Sequence, residues 1–267
     1  GGGVEPRMDY SFAEVLKDRA DLPRGTGEAI SSALTRNHGQ IVRMCRHAYR
    51  MNGLAARPVD VAAAYTIGTG IKPSIPDDDL DLMRLWNRWT KVGAADGVGD
   101  FYTAQDLAFP EMLAGGEALA RKWFRDGGRS DLPVPFQVQI LPTEMLPTST
   151  PFMKNARGGI LFNVRQEPEA YYLYKTHPGN YTDLSAAMKR ETVRVVSSNV
   201  LHVFRYREAG TIRGEPWLAR ALVKIHDLEK YLGADLLRKI LASNIAYWME
   251  QPELSDEEKE RLADVFY

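Results

Sequence analysis

The chain has 267 residues, 44% hydrophobic and 26% charged, enough apolar material for one large domain or two small ones. Its 34 Lys and Arg against 35 Asp and Glu leave a formal net charge of −1, which excludes a global electrostatic pull toward nucleic acid or an anionic membrane. No apolar run reaches the ~18 residues of a membrane span, and the single cysteine, Cys45, excludes an intrachain disulfide and a multi-thiolate metal site. The expectation is a soluble, intracellular chain in which Cys45 is a buried, unreactive thiol.

From Ser31 to about Tyr65 the apolar spacing is helical, with Ile41, Met44, Cys45 and Ala48 followed by Leu54, Val59 and Ala62. Asn52-Gly53 divides this into two helices, both residues suiting a helix C-terminal cap. Two glycines and Pro73 make Thr66 to Pro73 a short strand or turn. Asp77, Asp78 and Asp79 then suit the N-terminus of a helix carrying Leu82, Leu85, Trp86 and Trp89 on one face. Phe101 to about Phe124 predicts another helix, kinked or ended by Pro110 or Gly115-Gly116.

Past Arg125-Asp126-Gly127-Gly128 the texture changes. Val134 to Leu141, Ile160 to Val164, Ala170 to Tyr174, Thr192 to Val196 and Val200 to Phe204 predict short strands between Pro, Gly and Asn, with a domain boundary near residue 128. Glu215-Pro216 opens a long helix to Met249, ~50 Å at about 1.5 Å per residue, with Gly233 as a candidate bend. Ser255-Asp256-Glu257-Glu258 caps a last helix that runs to Tyr267. The fold class is α+β.

Signals for chemistry are sparse. There is no Walker-type loop, no nucleophile elbow and no His-Glu-x-x-His pattern, and His38, His47, His177, His202 and His226 are scattered singly. Neither a cofactor nor a metal is expected, and the chain is not expected to be an enzyme. Gly68 and Gly70 read as a structural turn and not as a nucleotide loop. Arg36 to Arg57 contains no acid, and Arg43, Arg46, Arg50 and Arg57 recur at helical spacing, so this face meets either phosphates or a partner's acidic rim. On the last long helix Arg220, Lys224 and Lys230 are further candidate contacts, although Asp227, Glu229 and Asp235 alternate with the cations there.

An ordered set of short motifs resembles the lambda-type family of phage portal proteins. The set comprises Arg50-Met51-Asn52-Gly53-Leu54-Ala55, Thr66-Ile67-Gly68-Thr69-Gly70-Ile71 and Gly116-Glu117-Ala118, then Ala170-Tyr171-Tyr172-Leu173 with Thr176-His177-Pro178-Gly179. It continues with Val200-Leu201-His202-Val203-Phe204 and closes on Arg213-Gly214 with Pro216-Trp217-Leu218. The resemblance implies a portal fold: a wing over residues 1–99, a first stem helix over 100–127, a β-containing clip over 128–214, a second stem helix over 215–250 and the start of a wing helix over 251–267. The family's later wing helix, tunnel loop and crown have no counterpart in this sequence.

It further implies a ring, usually of twelve copies, at the capsid's portal vertex, passing double-stranded DNA without reading its sequence, with terminase, capsid and head-tail connector proteins as partners and no membrane. Such a chain would sit in the virion, and in the host cytoplasm during assembly. Gly68, Gly70, Arg213, Gly214, Pro216 and Trp217 are then expected to be structural, with glycine permitting the turn out of the clip and proline starting the stem helix. The competing reading is a DNA-binding adapter that forms no ring and uses the basic face from Arg36 to Arg57.

Overall fold

The structure is a computed structural model describing residues 29–76, 79–125, 132–149, 155–180, 182, 189–249 and 256–266. Its first helix, α1 (Ile30–Met51), buries Leu34, His38, Val42 and Cys45 along one stripe at near-helical intervals. Asn52 separates it from α2 (Gly53–Thr66) and closes it as expected, its N–H donating to the Ala48 carbonyl at 2.9 Å. Its backbone is extended and its side chain accepts a hydrogen bond from the Leu54 N–H at 2.8 Å, so the same residue also caps the start of the second helix.

The Thr66 to Pro73 segment is a turn, with Gly68 and Gly70 both at positive φ, and a side chain at Gly70 would collide with the Tyr102 ring. Helix α3 (Leu80–Thr90) is capped by Asp79, whose carboxylate accepts from the Leu82 N–H at 3.0 Å; Asp77 and Asp78 lie outside the described residues. Trp86 and Trp89 on α3 pack against Phe101, with centroids 5.7 and 4.8 Å away. The Trp89 indole donates to the Phe136 carbonyl, which ties α3 to the β region.

Helix α4 (Phe101–Gly115) contains Pro110 yet continues to Gly115, where Gly116 turns left-handed at φ 91° and ends it. The expected helix through Phe124 is therefore corrected: residues Glu117–Phe124 form strand β1. Further strands are β2 (Phe136–Leu141), β3 (Ala156–Arg157), β4 (Ile160–Phe162), β5 (Pro168–Tyr174), β6 (Thr192–Val196) and β7 (Val200–Phe204). The β region thus begins at Glu117 and not near residue 128.

Two antiparallel sheets result, ordered β2-β1-β7 and β3-β4-β5-β6. Leu119, Leu141 and Val200 of the first meet Ile160, Tyr171, Leu173 and Val195 of the second in one core. A separate helical core joins Cys45, Ala55, Val59, Leu113 and Leu218. Burial and the Glu215 charge push the Cys45 thiol up to about 11, so the thiolate is suppressed.

After β7 the chain passes Arg213-Gly214 and a 3₁₀ turn, Trp217–Arg220, into α5 (Leu222–Met249). The long helix therefore starts later than expected, because Pro216 is extended and precedes the turn; its 28 residues span ~42 Å. Gly233 lies within its continuous run. Its first turns touch the body: Leu222 and Ile225 pack on the helical core, and Glu229 accepts from the Asn52 side chain at 2.9 Å. Helix α6 (Asp256–Phe266) follows; Ser255, its expected cap, lies outside the described residues.

Candidate functional site

Strand β1 begins directly after the left-handed Gly116, and alternation then turns Glu117 toward the same face as Leu119, fully buried. A buried carboxylate is tolerable only if every lone pair finds a donor. Here Glu117 Oε1 accepts from Thr143 Oγ1 at 2.5 Å and Arg213 Nε at 2.7 Å. Its Oε2 accepts from His202 Nε2 and the Gly214 N–H, both at 2.8 Å. With four donors on two oxygens, Glu117 has no acceptor to offer a substrate proton.

Arg213 is equally buried. Beyond Glu117 its guanidinium donates to the Gly158 carbonyl at 2.9 Å and the Pro147 carbonyl at 3.3 Å, so it ties the loop after β2 to the turn between β3 and β4. Burial alone would raise the Glu117 pKa, but the Arg213 cation foremost, with His202 and His38, holds it well below the carboxylate range. From α1, His38 Nε2 donates to the Gly214 carbonyl at 3.0 Å. Burial, reinforced by the Arg213 charge, brings its pKa down to about 4, so this imidazole is neutral.

The backbones at Gly116 and Gly214 cross so closely that a Cβ on Gly116 would lie 2.6 Å from the Gly214 oxygen. The start of the β module, its exit and α1 are thereby clamped at one point. Pro216, two residues on, is fully buried. Trp217 is exposed, with the Arg205 guanidinium 5.1 Å from its ring.

Above the clamp lies a cleft of about 1030 Å³ between α1, α4, the loop after β2 and the β5–β6 connection, with Arg213 and Thr143 on its floor. Arg46 does not face solvent there. It donates to Glu111 Oε2 at 2.9 Å and to Glu144 Oε2 at 2.7 Å, and the two carboxylates hold its pKa above the ordinary guanidinium range although burial opposes the charge. The expected four-arginine face is thus broken: Arg46 points inward, Arg43 and Arg50 stand exposed on the cleft, and Arg57 is exposed on α2 away from it. On the C-terminal side Arg220 pairs with Glu215 at 3.0 Å, while Lys224 and Lys230 are exposed with no carboxylate partner among the described residues.

Sequence reasoning marked Arg213 and Gly214 as structural; the structure places both in the buried, hydrogen-bonded clamp. It gave no role to Glu117, His202, Thr143 or His38. The available signal was a charged or polar residue inside an apolar setting: Glu117 ahead of Ala118-Leu119, and His202 within Val-Leu-His-Val-Phe. Among the described residues no three His, Cys, Asp or Glu side chains group to hold a metal ion, and no helix is long and apolar enough to cross a membrane.

Residues 18–265 match the family described as phage portal protein, lambda family. A probable portal protein of Halomonas phage phiHAP-1 is 25% identical over 186 residues, covering 66% of this chain and 34% of that relative. The chain therefore spans about a third of the relative's length.

Proposed function

The chain belongs to the lambda family of phage portal proteins, and we propose that it works as one subunit of a closed ring at the portal vertex, a channel through which the duplex passes during packaging and ejection. Terminase docks on one face of that ring and head-tail connector proteins on it later, in this reading, and twelve copies complete it. The helices before β1 serve as wing and first stem element, the β module from Glu117 to Phe204 as clip, and α5 as second stem helix.

The observation that carries the ring is the surface of α5. Val223, Leu228, Tyr231, Leu232, Leu236, Leu237, Ile240 and Leu241 are between 45% and 68% exposed. At about 100° per residue they spread around the whole helix and form no single stripe. These side chains share the surface with charged residues such as Lys224, Asp227, Lys230 and Arg238, and covering the apolar ones on opposite sides takes more than one neighbour. A heterologous ring supplies one neighbour on each side. The ions on α5 support a channel with a weak grip: Arg238 and Lys239 are held by Asp235 at 3.1 and 2.8 Å, so the helix offers no continuous track of free cations for phosphates.

The adapter reading loses its central residue with Arg46, which two carboxylates already engage. Electron microscopy with native mass measurement tests the proposal. Rings with a central hole near ~360 kDa, twelve times 30.0 kDa for this length of chain, are expected. A uniform monomer at the protein's full natural length contradicts it.

A further inference from the structure

We propose that Asn52-Gly53, at the junction of α1 and α2, is a site of spontaneous deamidation, and that the carboxylate formed there unlatches the base of α5. It is the one Asn-Gly pair in the sequence. Deamidation starts when the backbone nitrogen of the following residue attacks the asparagine's Cγ. Glycine at that position favours the attack, because no side chain shields the nitrogen or narrows the conformations it reaches.

The local structure leaves this nucleophile open. Gly53 is the first residue of α2, so its N–H is one of the four that a helix cannot use itself. The Asn52 side chain caps the next one, Leu54, and the Gly53 N–H has no partner among the described residues. Gly53 is exposed, and apart from its chain neighbours and its own turn of helix no described atom lies within 4 Å of where a Cβ would stand.

The leaving group is the atom that holds α5. Asn52 Nδ2 donates to Glu229 Oε2 at 2.9 Å. In the reaction the Gly53 nitrogen bonds to Cγ and gives up its proton, the Cγ–Nδ2 bond breaks, and Nδ2 departs as ammonia, leaving a succinimide ring. Water opens that ring at either carbonyl, to aspartate or to isoaspartate, so one water is consumed and one ammonia released. Aspartate caps a helix as well as asparagine does, and the start of α2 survives. Toward α5 the contact reverses: the donor facing Glu229 becomes a second carboxylate with nothing to donate. The lost bond lies one turn beyond Ile225, which packs on the helical core, so the loosening falls on the first turns of α5. Isoaspartate adds a main-chain atom between the two helices and disturbs α2 as well.

The test incubates the full chain at mildly alkaline pH and reads its peptides by mass spectrometry. Asn52 is expected to deamidate about tenfold or more ahead of the asparagines not followed by glycine. Gly53→Ala is expected to slow it at least ~tenfold with the melting temperature unchanged, since the added methyl enters open space. Glu229→Ala, which frees the carboxamide, should raise the rate by about threefold or more. The consequence is read by trypsin cutting at Lys224 and Lys230, which Asn52→Asp should raise by about threefold or more. Asn52→Asp/Glu229→Gln, whose amide donates to the new carboxylate, should return it to the wild-type rate, as a capping defect would not. An Asn52 that reacts no faster than the other asparagines, or is indifferent to Gly53→Ala, overturns the site. A rate unaltered by Glu229→Ala, or unchanged cutting in Asn52→Asp, overturns the latch.

Discussion

The clamp at the base of the β module and the distal part of α5 are opposite in construction. At the clamp, Glu117, Arg213 and Thr143 are buried and each polar group meets a partner from the same chain. Along α5 beyond Glu229 every described residue is exposed except the half-buried Asp235, and the apolar ones face outward. The first region is complete within one subunit. Among the described residues nothing covers the apolar side chains of the second, which in the proposed ring a neighbouring copy would cover. Of the motif residues, Gly116, Glu117, His202, Arg213 and Gly214 meet in the first region, where β1 starts and the chain leaves the β module.

The largest effect should come from breaking the clamp. Arg213→Met leaves the Glu117 carboxylate buried without its main counter-charge, and a loss of ~3–5 kcal/mol in chemical denaturation is expected. Converting Glu117 to Leu in the same chain should recover much of that loss, because no buried charge then remains.

Acid should act on the same point. His38 is neutral in the fold with a pKa of about 4 against an ordinary value of 6.5, so the unfolded chain binds the extra proton between these values. Its contribution is complete above about pH 6.5 and is lost as pH falls toward 4, worth up to ~3 kcal/mol at about 1.4 kcal/mol per pH unit. Glu117, held low, extends the decline below its ordinary value of 4.5. Denaturation midpoints at pH 7, 5.5 and 4 check this, and His38→Gln, which keeps a donor for Gly214, should flatten the upper part of the curve.

A smaller loss of ~2 kcal/mol is expected for Gly116→Ala, from the positive φ and the close Gly214 carbonyl together. Smallest for the fold, and largest for assembly, is Leu232→Ser/Leu236→Ser on α5. Subunit stability should stay within about 0.5 kcal/mol per site, since neither side chain packs in a core, while the oligomer seen by native mass is lost. A double variant that unfolds the subunit but leaves its oligomer intact would reverse the contrast.

Much of the β module was legible in sequence. Thr192–Val196 and Val200–Phe204 are strands at the limits expected, because β-branched and aromatic residues there agree with the local pattern. Strand β1 was not, since Glu117-Ala118-Leu119-Ala120-Arg121-Lys122 is made of helix formers and only pairing with β2 and β7 on either side overrides them. Gly115-Gly116 carried the signal that the helix stops.

The inward turn of Arg46 was illegible for another reason. Its partners Glu111 and Glu144 lie 65 and 98 residues away, and helical spacing alone cannot separate an arginine facing solvent from one facing a distant carboxylate. The clamp shared that fate in part: Gly116, Glu117, His202, Arg213 and Gly214 were marked as motif pieces and His38 and Thr143 were not, and nothing local says that position 117 meets position 213.

The central contrast is tested most directly by thiol accessibility on α5. Cys45 is fully buried and is the chain's single cysteine, so Leu236→Cys gives one reactive thiol on the exposed helix. Maleimide labelling should proceed at the rate of a free thiol in dissociated subunits and slow at least ~tenfold in the assembled protein, where a neighbouring copy covers the site. Equal rates in the two states would show that α5 stays open to solvent after assembly and would contradict the account.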